Sequence, residues 1–348
     1  MSNNIKFLSI AVIAVAIIGA GLFFAEEEKT KDEIVPVRGS ATTTPSVFEI
    51  AKKLTGRDFL EEEGVKYEPV IIQGGEGGTV TFQALLSKNI DTSGGAIGIW
   101  VNAVGKGAKV KLVYPSAFAT EESSKYEGLL VLENSSIYTI KDLVGKKIAV
   151  NVLGASADFT TRKFLVQNGL SIDQVQLVVV PAANEELALR SKQVDAAAWT
   201  ISGSTQYDMT VDRGGVRKLP GTSIYEVRRV KTVNAVVGFR EDFIQEHPET
   251  VRRYLRALDS ASRLIWTEIR KDPERVQKAY ADIAEEKGDN PKLAKFYRGP
   301  KAAPEDKFFT DNDVQVWIDD FVEAGTLKPG QIKPSDVYTN EFNPYYNR

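Results

Sequence analysis

Ile140-Lys141-Asp142-Leu143-Val144-Gly145-Lys146-Lys147-Ile148-Ala149-Val150 is the stretch on which the fold turns. Thr139 precedes it, and Asp142 stands three residues later. That pair reads as a capping box opening a short helix, because each side chain can bond the other's backbone N–H. Gly145 turns the chain, and residues 148–152 read as a strand. Gly154-Ala155-Ser156-Ala157 then leads into a helix over 156–168, with Ser156 as the N-cap and Gly169 as the stop. A strand, a tight turn and a helix in succession are the repeating unit of an α/β sheet. The unit recurs downstream, with a strand over 175–180, a helix over 184–192 and a strand over 194–199. A strand over 127–132 begins this set, and one over 233–239 is expected to close it.

Upstream, strands at 34–37, 68–72, 91–93 and 109–114 alternate with helices. Thr44 reads as the cap of the first helix, with Pro45 at its first position. This half reads as a parallel βαβ lobe. From 246 onward the chain is helical. Val251, Tyr254, Leu255, Leu258 and Ile265 share one apolar face, and Val314, Trp317, Ile318 and Phe321 share another behind Thr310 and Asp313. These helices need a sheet to cover, and the first lobe has too few of its own. The expected fold is therefore α/β and two-lobed, with a helical C-terminal extension that returns to the first lobe. Residues 34–126 and 240–348 would form lobe 1 and 127–239 lobe 2, with a hinge at crossings near Tyr126 and Arg240.

Composition restricts the chemistry. The 348 residues suffice for about two domains. With 44 Lys+Arg against 47 Asp+Glu, the net charge of -3 offers no broad basic field for nucleic acid. The chain has no cysteine, so thiolate metal sites, Cys nucleophiles and Cys-linked lipid anchors are excluded. Its single histidine, His247, lies at a helix start and reads as a capping or surface residue. No carboxylate spacing suggests a metal, and no cofactor is expected. Residues 7–25 form an uncharged apolar run behind Lys6 and before Glu26-Glu27-Glu28. That asymmetry reads as a membrane anchor or a signal peptide, with the rest of the chain extracytoplasmic. Phe23 is a poor residue three positions before a cleavage at Ala25, which favours the anchor.

Four turns at strand ends are candidate ligand sites, because helix N-termini there point free N–H groups outward. The first is Arg38, Gly39, Ser40, Ala41, Thr42 and Thr43, rich in hydroxyls beside one cation. The second is the glycine-rich run with Gly74, Gly75 and Glu76, which lacks the Gly-Lys-Ser/Thr of a P-loop. The third is Gly94 and Gly95, where small residues leave space. The fourth is Ala155, Ser156, Ala157 and Asp158, faced by Trp199 and Ser202. Asp158 would attract an amine, though an acid in a first helical turn also serves the helix dipole.

The quoted stretch, with Gly154 to Ala157, Asn168-Gly169-Leu170, Val194-Asp195-Ala196 and Phe239-Arg240-Glu241-Asp242-Phe243 followed by His247-Pro248-Glu249, resembles type II periplasmic binding proteins in its order. The set is similar to the nitrate/sulfonate/taurine and thiamine-precursor branch of ABC importer binding proteins. The resemblance implies a monomer that captures a small polar or anionic solute by lobe closure and delivers it to a permease and its ATPase. It also implies ligand contacts at Ser40 to Thr43 and at Ala155 to Ala157. Three features depart from that pattern: Ala155 stands for a usual Ser, Asp158 is acidic, and no Trp-Asp-Pro-like run follows Val194. A ligand-sensing ectodomain has the same sequence requirements. A thiamine-pyrimidine synthase-like enzyme is disfavoured, because such relatives rely on Cys and His.

Overall fold

Two five-stranded sheets organise the chain in a computed structural model that describes residues 35–72, 79–306, 308–344 and 346. The apolar run at 7–25 lies outside the described residues, and among those described no helix is long and apolar enough to cross a membrane.

The first sheet contains β1 (Val37–Ala41), β2 (Tyr67–Ile71), β3 (Thr92–Ala96), β4 (Val110–Ala119) and β10 (Thr232–Arg240), ordered β2-β1-β3-β10-β4. The second contains β5 (Gly128–Leu132), β6 (Lys147–Val150), β7 (Gln176–Val179), β8 (Ala196–Trp199) and β9 (Val216–Lys218), ordered β7-β6-β8-β5-β9. Both are mixed. β1 runs parallel to β2 and β3, whereas β10 is antiparallel to both β3 and β4.

Four local expectations change. First, β1 starts later, at Val37. Its parallel pairing with Tyr67–Ile71 draws Arg38 to Ala41 into the strand rather than into a turn. Secondly, the helix α1 (Val47–Thr55) is capped by Ser46 and not by Thr44. Ser46 Oγ accepts from Glu49 N, and Glu49 Oε2 accepts from Ser46 N at 2.7 Å, so this reciprocal pair outcompetes a lone Thr. Thirdly, the strand expected at 233–239 belongs to the first sheet, not to the second set. It is inserted between β3 and β4, and a Cβ on Gly238 would come within 2.5 Å of the Trp100 ring and 2.7 Å of Lys111 O. Only glycine permits that approach. The return crossing therefore lies between β9 and β10, upstream of Arg240. Fourthly, Ser156 is the first residue of its helix, and Ala155 is the N-cap.

The tail covers the first sheet, as its apolar faces require. Helix α7 (Pro248–Lys271) packs on α1, and α8 (Asp311–Glu323) packs on α3 (Ile97–Gly105). Trp317 is fully buried there, and its indole N–H donates to Val233 O at 2.9 Å. Smaller cores around Leu129, Ile148 and Phe164, and around Leu130, Ala149 and Trp199, sit on the two faces of the second sheet. Phe159 joins the first sheet's core instead, edge-on to Phe321 at 4.4 Å between ring centroids.

Candidate functional site

Ligands in open α/β sheets sit beyond the carboxyl ends of the parallel strands, where loops diverge and helices begin. Here those ends open onto one cleft of about 590 Å³, a size suited to a small molecule. The first sheet supplies Ser40, Thr42, Gly94, Gly95 and Ala96, with Asn234 and Ala235 from β10. Thr44 and Thr81, the latter on α2 (Thr79–Leu86), stand beside them. From the second sheet's side come Asn151 after β6, Ala155 to Ala157, and Ala182, Ala183 and Glu185 after β7. Ala198 and Trp199 end β8, Thr200, Ser202 and Gly203 follow it, and Gln206 and Met209 belong to α6 (Ser204–Asp212). The tail closes the ring with Asp289, Asn290 and Leu293.

Nine residues singled out from the sequence line this cleft: Ser40, Thr42, Gly94, Gly95, Ala155, Ser156, Ala157, Trp199 and Ser202. Others do not. Arg38 turns to Asp91, with Nε 3.0 Å from Oδ2 and Nη2 2.6 Å from Oδ1. Arg240 completes that buried clasp at 2.8 Å. The Arg38 cation therefore ties strands together and is not offered to a ligand. Asp158 is also diverted: its carboxylate accepts from Gly154 N at 2.8 Å and from Arg162 Nε at 2.5 Å. It fastens the loop before its own helix, so its charge is already answered. Ala41 and Thr43 lie off the cleft wall, and Gly74, Gly75 and Glu76 fall outside the described residues.

The helix α4 (Ser156–Gln167) begins at the cleft without a side-chain cap, because Ala155 has no oxygen to give. Its first-turn N–H groups are therefore unclaimed by a capping side chain, and they carry the positive end of the helix dipole. Five buried polar atoms of the lining have no hydrogen-bond partner among the described residues: Ser156 Oγ, Glu185 Oε1, Trp199 Nε1, Asn234 Oδ1 and Asp289 Oδ2. Buried polar groups are rarely left so, and all five belong to residues that line one cavity. The orientation of Asn234 follows from its other end, since Nδ2 donates to Ser202 Oγ at 2.9 Å. Burial pushes the Glu185 carboxyl well above the usual carboxylate range, with no neighbouring charge contributing. No Lys or Arg lines the cleft among the described residues, and none of their His, Asp and Glu side chains cluster as a metal site.

Sequence reasoning missed Glu185, Asn234 and Asp289. Glu185 was readable in principle, because it opens the helix α5 (Glu185–Arg190) just beyond the carboxyl end of β7, by the same rule that picked the four turns. Asn234 interrupts an apolar strand, Val233 to Val237, which is also a signal. Asp289 has none, since it reaches the cleft only through packing of the tail.

A sequence profile of the family described as NMT1/THI5 like matches residues 56–275, well over half of the chain. A Brucella abortus (strain 2308) protein named as a binding protein is 26% identical over 277 residues, covering 76% of this chain and 79% of its own length. The nitrate-binding protein NrtA of Synechocystis PCC 6803 superimposes with a TM-score of 0.69 at 12% identity, covering 89% of this chain and 87% of that one. The alkanesulfonate-binding protein SsuA of Xanthomonas axonopodis pv. citri, solved with MOPS, gives a TM-score of 0.66 at 20% identity, covering 87% and 98%. An enzyme shares the fold too: the desulfurization enzyme DSZB matches with a TM-score of 0.55 at 16% identity, covering 88% and 97%. The chain thus has the two-sheet α/β fold of periplasmic binding proteins, and it belongs to the NMT1/THI5-like family.

Proposed function

We propose that this member of the NMT1/THI5-like family is the extracytoplasmic solute-binding component of an ABC importer, taking a small polar solute between two lobes. The observation that carries this reading is that five residues with an unpartnered buried polar atom and an uncapped helix start line one cleft. The lobes are built around the two sheets, and they rotate about the connections 120–127 and 219–231. The solute favours the closed form only through bonds it makes to both walls at once, to Ser40, Thr42 and Asn234 on one side and to Ser156, Glu185 and Trp199 on the other. An acceptor group of the solute takes the N–H groups at the start of α4 and the Trp199 indole N–H. The names of the relatives put sulfonates and nitrate first among the solutes to try.

Capture is favoured over catalysis because the described lining carries no histidine, and the chain has no cysteine. The residues at 7–25 suit a tether that holds the protein at the outer membrane-water boundary of the cell. A thermal-shift screen of sulfonates, nitrate, bicarbonate, taurine and aminopyrimidines, followed by calorimetry, tests the reading. A solute at one hundred times its Kd adds ~2.7 kcal/mol of stability. Turnover of any of them, or a solute that binds equally well after Ser156→Ala and Asn234→Ala together, would overturn it.

A further inference from the structure

We infer that the solute carries a protonated amine or an equivalent N–H donor group, read by Glu185 with Asp289 and Asn234. This rests on the solute-binding reading above and deepens it. Three of the five unpartnered atoms belong to residues of the cleft wall and are oxygens that can accept from an N–H donor: Glu185 Oε1, once that carboxyl ionises, Asp289 Oδ2, and Asn234 Oδ1, whose amide nitrogen is committed to Ser202. Glu185 is only 1% exposed, and Asn234 likewise. A carboxyl buried so deeply without a partner is expensive to keep unless something bonds it in the working state. A ligand made only of acceptors, such as a simple oxyanion, would leave Asp289 Oδ2 and Asn234 Oδ1 orphaned and would lie beside two carboxyls with no lining cation to offset them.

The surroundings of Glu185 do not answer its charge. Its helix neighbour Glu186 is held by Arg190 and Arg213. Strands β5 and β8 and residues 182–184, which pack against α5, carry no charged side chain. Lys147 sits at the opposite end of β6 and is exposed. Asp289 is the charged residue that shares the cleft wall with it. An arriving ammonium would therefore be the first cation to meet Glu185, and it would draw the carboxyl into its ionised form. The rest of the cleft keeps the opposite demand, because α4 and the Trp199 indole offer donors. The solute is then bipolar: one acceptor group and one amine.

Matched pairs that differ only in the amine test this on the full chain: taurine against ethanesulfonate, β-alanine against propionate, and 4-aminopyrimidine against pyrimidine. Calorimetry should show the amine member binding about tenfold tighter or more, the scale of one charged hydrogen bond. Glu185→Gln should remove most of that preference, and Asp289→Asn should reduce it if the first variant misfolds by circular dichroism. Equal or tighter binding of the amine-free member, or a preference unchanged in both variants, overturns the inference and leaves solute binding standing. No response to either member of any pair also overturns it, and the wider solute screen then decides the function by itself.

Discussion

Glu127 makes the pH response of this protein calculable. It is fully buried just before β5, where the chain passes from the first sheet to the second. Its Oε2 accepts from Ile201 N at 2.9 Å, and its Oε1 accepts from Ser123 Oγ at 3.3 Å. Burial outweighs these bonds and the pull of Lys218, and pushes the carboxyl from 4.5 to about 8. The folded state therefore holds a proton that the unfolded chain has released throughout the window from 4.5 to about 8. The contribution of Glu127 to stability therefore falls as pH rises across that window. By pH 7 the chain has crossed 2.5 units above 4.5, and at ~1.36 kcal/mol per unit this costs about 3 kcal/mol. Glu127→Gln keeps the shape and an acceptor for Ile201 N, and its amide can donate to Ser123. It should be nearly neutral at pH 5 and should stabilise by about 3 kcal/mol at pH 7. Denaturant midpoints of both proteins from pH 5 to pH 8 measure it. A variant that declines with pH as steeply as the parent, or gains nothing at pH 7, would refute the assignment of that slope to Glu127.

Further outcomes follow from the same geometry. Asp91→Ala leaves Arg240 and Arg38 without their shared carboxylate in a buried position, and should cost about 3–5 kcal/mol in chemical unfolding. Gly238→Ala forces a Cβ against Trp100 and the Lys111 carbonyl, and a loss of roughly 1–3 kcal/mol in the unfolding midpoint is expected. Ala155→Ser would give α4 the cap it lacks and add ~1 kcal/mol to the apo protein, while competing with the solute for the same N–H groups; a tighter solute in this variant would contradict that competition. Ser156→Ala should weaken the solute by about 1 kcal/mol in calorimetry, and unchanged affinity would remove its hydroxyl from the binding set.

Much of the fold was legible because its causes are local. The Thr139 and Asp142 pair, Gly145 and the run to Val150 act within a few residues, and the capping box, turn and strand form there. The apolar faces of the tail helices were readable for the same reason, and Val251, Leu255, Trp317 and Phe321 are buried as their spacing demands. Nine cleft residues followed from one rule about strand ends. The errors occurred where two arrangements compete, one locally and one between distant segments. Whether Thr44 or Ser46 caps α1 depends on Glu49 reaching back. Whether 233–239 joins one sheet or the other depends on Trp100 and Lys111, far away in sequence, accepting a glycine between them.

By itself the sequence determined the class of elements, the exclusion of cysteine chemistry, the near-neutral charge and the families of turns from which a site can be built. These are properties of composition and of neighbours along the chain. Only the tertiary structure decided how charge is distributed in the cleft. Arg38, marked for the ligand, is satisfied by Asp91, which folding brings to it from 53 residues along the chain, whereas Asp158 is satisfied by Arg162 one turn on in its own helix. Glu185 and Asp289, which the sequence left unmarked, arrive at the cleft with an oxygen unanswered. A charge is available to a ligand only if the fold does not already neutralise it, and for Arg38, Glu185 and Asp289 that depends on through-space neighbours that no local pattern records.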